Sequence, residues 1–149
     1  DYKDERKFAD ANDFSAVIKI TCFGKSVLLT GDIDNEKESE IVEAYKRDIL
    51  KLSCGTLKVA HHGSETSTSA AFIDAVKPDR AIISCGVNNK YGHPSSGVIE
   101  RLAGDNVIVY RTDLQGTVKL SVSSAGKIQV LPRIVSYSYI DIIKSNKRK

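Results

Sequence analysis

The chain has no tryptophan, no methionine, and only three prolines and three histidines among its 149 residues. Its apolar runs stay short, as at Ser26-Val-Leu-Leu29, far below the roughly 20 residues that cross a bilayer. The missing methionine includes an initiator. The opening Asp1-Tyr-Lys-Asp-Glu-Arg-Lys7 is charged throughout, unlike a signal peptide. Together these predict a processed or excised chain whose residues 1–11 are a tag-like or disordered segment, and which is cytoplasmic if it stands alone. Cysteine is scarce as well: Cys22, Cys54 and Cys85 are odd in number and contain no Cys-x-x-Cys pair. The expectation is three reduced, mostly buried thiols, with a thiolate metal site or a catalytic cysteine as the alternative.

What is present fits one globular domain. Hydrophobic residues make up 41% and charged residues 28%, with a net charge of +3, which excludes a disordered chain. The domain is expected over residues 12–132, followed by an extension, 133–149. The basic end Lys144-Ser-Asn-Lys-Arg-Lys149 reads as a frayed terminus rather than a nucleic-acid arm. No basic stripe interleaved with aromatics appears, so nothing in the composition alone points to nucleic acid.

β-branched, partly alternating residues predict a strand over Ser15–Phe23, a turn at Gly24-Lys25, and a short central strand over Ser26–Thr30. Asp34 or Asn35 caps a predicted helix running to about Leu52. Its acidic residues come first and its basic residues last, and Ile41, Val42, Tyr45, Ile49 and Leu52 form an apolar face. A strand over Thr56–Ala60 runs into His61-His62-Gly63-Ser64. A helix then opens at Ser67 or Thr68 and is stopped by Pro78, and a strand follows over Arg80–Cys85. After a polar loop to Pro94 come a short helix to Leu102, a strand over Val107–Tyr110, and a closing hairpin of 116–122 with 127–131. The order predicts a mixed α/β layout with helices packed on a sheet.

All three histidines lie in two polar loops, each directly after a predicted strand; a third strand ends in Leu29-Thr-Gly-Asp32. Strands that run parallel bring such ends together. Imidazole nitrogen and carboxylate oxygen suit Zn²⁺ and related divalent metals. Taken singly, each residue has a plainer reading. Asp32 serves as a turn or cap residue, His93 orders the loop before Pro94, and Glu65 with Thr66–Ser69 caps a helix. Two adjacent histidines in a Gly/Ser loop look less like core packing.

Five segments, in order over about residues 12–122, resemble ComEC-type hydrolase domains of the metallo-β-lactamase superfamily. They are Asn12-Asp13-Phe-Ser15-Ala-Val-Ile, Leu28-Leu-Thr-Gly-Asp32, Leu57-Lys-Val-Ala-His61-His-Gly-Ser64, Asn88-Asn-Lys-Tyr-Gly-His-Pro94 (with one change of spacing) and Thr112-Asp-Leu-Gln-Gly116. The resemblance implies the second half of an αββα sandwich. It implies a Zn or Mn site with Asp32, His61 and His62 as ligands, His62 favoured over His61. It implies Asp32, His61 and His93 in catalysis, with Ser64, Asn88 and His93 holding substrate. The superfamily's first signature, His-x-His-x-Asp-His, is absent, since no histidine precedes His61. The remaining ligands would then come from a missing N-terminal half or a second chain, and the open sheet face would make the chain associate. Three functions follow from the resemblance: a phosphodiesterase or nuclease acting on single-stranded DNA during uptake, a catalytically silent module of the same fold, and an ester or lactone hydrolase.

Overall fold

The computed structural model describes residues 11–133. The expectations for the first ten residues and for the extension beyond Arg133, including Lys144–Lys149, lie outside the described residues. Five strands form one sheet in the order β1-β2-β3-β4-β5: β1 (Ile18–Cys22), β2 (Lys25–Leu29), β3 (Thr56–Lys58), β4 (Arg80–Ile83) and β5 (Ile108–Arg111). β1 and β2 make the predicted antiparallel hairpin, and β2 to β5 are parallel. Each parallel step needs a crossover, and a helix fills each one: α1 (Asn35–Lys46), α2 (Ala70–Val76) and α3 (Ser96–Gly104). A one-turn helix, α4 (Thr112–Gln115), follows β5, and β6 (Val118–Val122) pairs with β7 (Ile128–Pro132) as a separate hairpin. The mixed sheet with helices packed on it is as expected. Among the described residues no helix is long and apolar enough to cross a membrane.

Side-chain alternation decides which face is covered. Leu28, Leu57, Ala81 and Val109 stand side by side in register and are all buried. They pack with Val42 of α1, Phe72 and Val76 of α2, and Ile99 and Leu102 of α3. Each fully buried Leu, Ile or Phe in this layer contributes about 1.5–3 kcal/mol. The opposite face carries Ile18, Ile20, Val27, Leu29, Ile82 and Ile108 beside Thr56, Lys58 and Arg80. On it Ile18 and Ile20 are each 49% exposed and Ile108 47%. That open face matches the expectation of an exposed sheet surface.

α1 ends earlier than its periodicity predicts. Asp34 caps it as expected, accepting from the backbone N–H of Glu36 and Lys37. Asp48 then takes a left-handed φ of 58°, which stops the helix before Ile49. Ile49 is therefore exposed, while Leu52 reaches the core from a loop. The single turn of α4 is too short for any period to reveal.

Candidate functional site

The carboxyl ends of β2, β3, β4 and β5 lie along one edge of the parallel sheet, where open α/β sheets form their crevices. The loop after β2 is held tightly. Thr30 is buried and its hydroxyl donates to the Lys58 carbonyl at 2.7 Å. Gly31 has φ 56°, and a Cβ there would stand 2.7 Å from the Ser15 Cβ. Ser15 Oγ accepts the Asp32 N–H at 3.1 Å, and the His61 N–H donates to the Gly31 carbonyl at 3.1 Å. Ser15, Asp32 and His61 are thus drawn together from three segments.

His61 and His62 both sit in the left-handed region, at φ 45° and 56°. For a side chain with a Cβ this conformation costs about 1 kcal/mol or more, and it persists only where surrounding contacts impose it. The two rings meet edge-on, at an interplanar angle of 67°. His62 Nδ1 lies 2.6 Å from the Ser84 carbonyl. A carbonyl only accepts, so Nδ1 carries the proton. In the neutral ring Nε2 then holds the lone pair, and Nε2 is 3.5 Å from Asp32 Oδ2. His61 Nδ1 is buried without a hydrogen-bond partner. The His61 ring centroid is 6.4 Å from that of His62 and 5.8 Å from that of His93.

His93 is fastened through its backbone. Its N–H donates to Asn89 Oδ1 at 2.9 Å, and Asn89 Nδ2 donates to the His93 carbonyl at 2.6 Å. Burial pulls its pKa below the ordinary histidine value, and the facing His61 and His62 lower it further. Tyr91 stacks on the His93 ring at 5.7 Å and 18°. A cleft of about 440 Å³ opens between His62, Asn89, Tyr91 and His93, over the strand-end residues 84–86.

Two of the predicted substrate contacts stand elsewhere. Ser64 is only 8% exposed, and its hydroxyl pairs with Thr66 Oγ1 at 3.1 Å. Asn88 is an exposed left-handed turn residue, and its neighbour Asn89 lines the cleft instead. Glu65 ion-pairs with Arg101 of α3, while Ser69, from the Thr66–Ser69 run, caps α2, which opens at Ala70 and so later than at Ser67 or Thr68. A residue with no assigned part in the sequence reading is Lys58. Its ammonium donates to the Gly31 and Val59 carbonyls and lies 3.9 Å from Asp32 Oδ1. Burial lowers its pKa and Asp32 opposes that shift. Lys58 lies inside the quoted Leu-Lys-Val-Ala-His segment, and strand alternation places it away from the helices.

Cys85 also borders the cleft, yet its thiol is pushed up to about 12, first by burial and then by the nearby Asp113. At pH 8 its thiolate fraction is about 1 in 10,000, so a role as nucleophile is not served here. Iodoacetamide at pH 8 is expected to label exposed Cys22 and spare Cys85, as read by peptide mass spectrometry. Labelling of Cys85 at a rate matching Cys22 would contradict this.

The donor chemistry suits a divalent cation, but the number falls short. Asp32 and the aimed Nε2 of His62 are a carboxylate–imidazole pair, and His61 offers an unpartnered nitrogen. Among the described residues no three His, Cys, Asp or Glu side chains converge as a metal site.

No family model matches the chain. It is 35% identical over 122 residues to Competence protein ComA of Neisseria gonorrhoeae, a match covering 82% of this chain and 17% of that protein. It is 36% identical over 139 residues to ComE operon protein 3 of Bacillus subtilis, covering 93% of this chain and 17% of the relative. Recombination protein 2 of Haemophilus influenzae is 38% identical over 110 residues, 74% of this chain and 13% of the relative. The chain thus spans 17% or less of the length of each of these relatives. They support a kinship with ComEC-type competence proteins.

Proposed function

We propose that this chain carries half of the metal and substrate site of a metal-dependent hydrolase with a metallo-β-lactamase-like αββα fold, acting on phosphodiesters of single-stranded DNA in DNA uptake. The observation that carries the reading is His62, fixed through Nδ1 on the Ser84 carbonyl with Nε2 turned to Asp32 at 3.5 Å. Metal-binding histidines are typically oriented in this way by a partner on the other ring nitrogen. Asp32, His62 and His61 would hold Zn or Mn, with the other ligands supplied from outside the described residues. When bound, such an ion supplies Lewis-acid polarisation and an acidified water.

The chain's own residues do the rest. Lys58 stands against Asp32 and screens its charge. His93, whose pKa lies below the ordinary value, is the stronger acid in its protonated form and would give a proton to the leaving oxygen. A catalytically silent module of the same fold is the second reading, favoured by the lack of a three-donor cluster among the described residues.

Elemental analysis after dialysis against trace Zn²⁺ or Mn²⁺ separates the two readings. The chain is expected to retain metal, with Asp32→Ala and His62→Ala each weakening retention by about tenfold or more. Equal retention by both variants, or none by the parent chain, would leave the silent module standing.

A further inference from the structure

The cleft beside the Asp32–His62 pair has a wall with a chemistry of its own. Tyr91 is 69% exposed on the loop between β4 and α3. Its ring stacks nearly parallel on His93 at the cleft edge, so that His93 backs one face of the Tyr91 ring. The Lys90 ammonium lies 5.0 Å from the Tyr91 centroid. A structural role for Tyr91 would bury the ring or tie down its hydroxyl. Here the ring is mostly open, and the hydroxyl makes no hydrogen bond among the described residues.

The Ser84 carbonyl and the Asn89 amide in the cleft wall are already engaged. The Ser84 carbonyl accepts from His62, and both amide atoms of Asn89 are used on the loop backbone. Neither of these groups is free to read a hydrogen-bonding edge, whereas the open Tyr91 ring offers a ligand a flat face. Aromatic platforms beside a cation are how proteins hold single-stranded nucleic acid without sequence preference.

We infer that Tyr91, backed by His93, is the stacking platform for one nucleobase of a single strand whose phosphate lies toward Asp32 and His62. This rests on the phosphodiester reading given above and names how that site holds its substrate. The Lys90 contact is an exposed cation–π pair, worth only a few-fold in an equilibrium. An incoming base, worth about tenfold in stacking, displaces it, and the freed ammonium faces the adjacent phosphate. The cleft volume of about 440 Å³ is within the range of small-ligand pockets.

The test is fluorescence anisotropy of labelled oligonucleotides on the 149-residue chain in EDTA, so that metal plays no part. The probes are a short oligothymidylate and an abasic strand of equal length. The parent chain is expected to bind oligothymidylate about tenfold tighter than the abasic strand. Tyr91→Ala should erase that difference and leave abasic binding unchanged, and Tyr91→Phe should keep it. Oligoadenylate and oligocytidylate should bind within a few-fold of oligothymidylate. Equal binding of the base-bearing and abasic strands by the parent, or an equal loss on both in Tyr91→Ala, overturns the base platform and leaves the phosphodiester reading intact. Binding of neither strand overturns both. Circular dichroism of the two variants checks that this exposed position leaves the fold unchanged.

Discussion

Asp113→Ala is expected to destabilise the chain by about 3–5 kcal/mol. Arg111 and Asp113 are 3% and 8% exposed, and the guanidinium meets the carboxylate twice, Nε to Oδ1 at 3.0 Å and an Nη to Oδ2 at 2.7 Å. Two charges out of water are costly, and their attraction offsets the cost only while both are present. Removing the carboxylate takes two charge-assisted hydrogen bonds from a buried guanidinium. Removing both, as in Arg111→Met with Asp113→Ala, should return most of the loss. The exposed pairs Lys37–Glu40 and Lys46–Glu43 on α1 are worth under about 1 kcal/mol each. Against a typical total of about 5–15 kcal/mol the Asp113 change is large. Urea denaturation reads it. A loss below about 1 kcal/mol would mean that the guanidinium reaches solvent or another acceptor once Asp113 is gone.

The same substitution bears on the site. The Thr112 hydroxyl donates to the Cys85 carbonyl at 2.8 Å and accepts the Cys85 N–H at 2.9 Å. The start of α4 is thereby latched to the strand end beneath the cleft. Loosening the Arg111–Asp113 pair next to that latch should weaken oligonucleotide binding along with stability.

The strands and the position of each candidate residue at a strand end were legible in the sequence, because both follow from local pattern. Ser26–Thr30 and Arg80–Cys85 are apolar and β-branched, and the structure has strands at Lys25–Leu29 and Arg80–Ile83. Asp34 as a cap was legible for the same reason: its side chain answers backbone groups two and three residues on. Distances between loops were not legible. The sequence puts Asp32, His61, His62 and His93 in three loops, and only the parallel register sets Asp32 against His62. The adjacent histidines look interchangeable in a motif, yet their left-handed backbones send one ring toward Asp32 and leave the other with a buried, unpartnered nitrogen. Asn89 lines the cleft where Asn88 was expected, a shift of one residue decided by the left-handed turn at Asn88. Lys58 was hidden because a lysine in a strand usually reads as a solvated side chain.

Glu38 was hidden in another way. It stands among Glu36 and Glu40 in the first turns of α1, where acids favour the helix dipole and need no further explanation. In the structure Glu38 is fully buried, and its carboxylate accepts the backbone N–H of Thr68 and of Ser69, the latter at 2.8 Å. Those amides lead into α2, in the same loop as His61-His62-Gly63-Ser64. Arg101 holds that loop from α3, donating to the Ser67 and Thr68 carbonyls at 3.2 and 3.0 Å. Glu38→Ala removes the acceptor for two buried amides at once. An unsatisfied buried donor costs about 1–3 kcal/mol, and relief of the buried charge offsets part of that, so about 3 kcal/mol is expected by urea denaturation. Glu38→Gln should lose less, since its amide oxygen still serves one N–H. Burial raises the Glu38 pKa above its ordinary value of 4.5, and the hydrogen bonds from Ser69 and Thr68 oppose the shift without cancelling it. The folded state therefore binds this proton more tightly than the unfolded chain does. Its contribution is full below pH 4.5 and is lost as the pH rises through the folded value. The stability advantage of the parent over Glu38→Gln should accordingly shrink as the pH is raised from 4 toward neutrality. An advantage that grows with pH would mean that the two backbone amides outweigh burial and that the carboxylate is anchored as an anion.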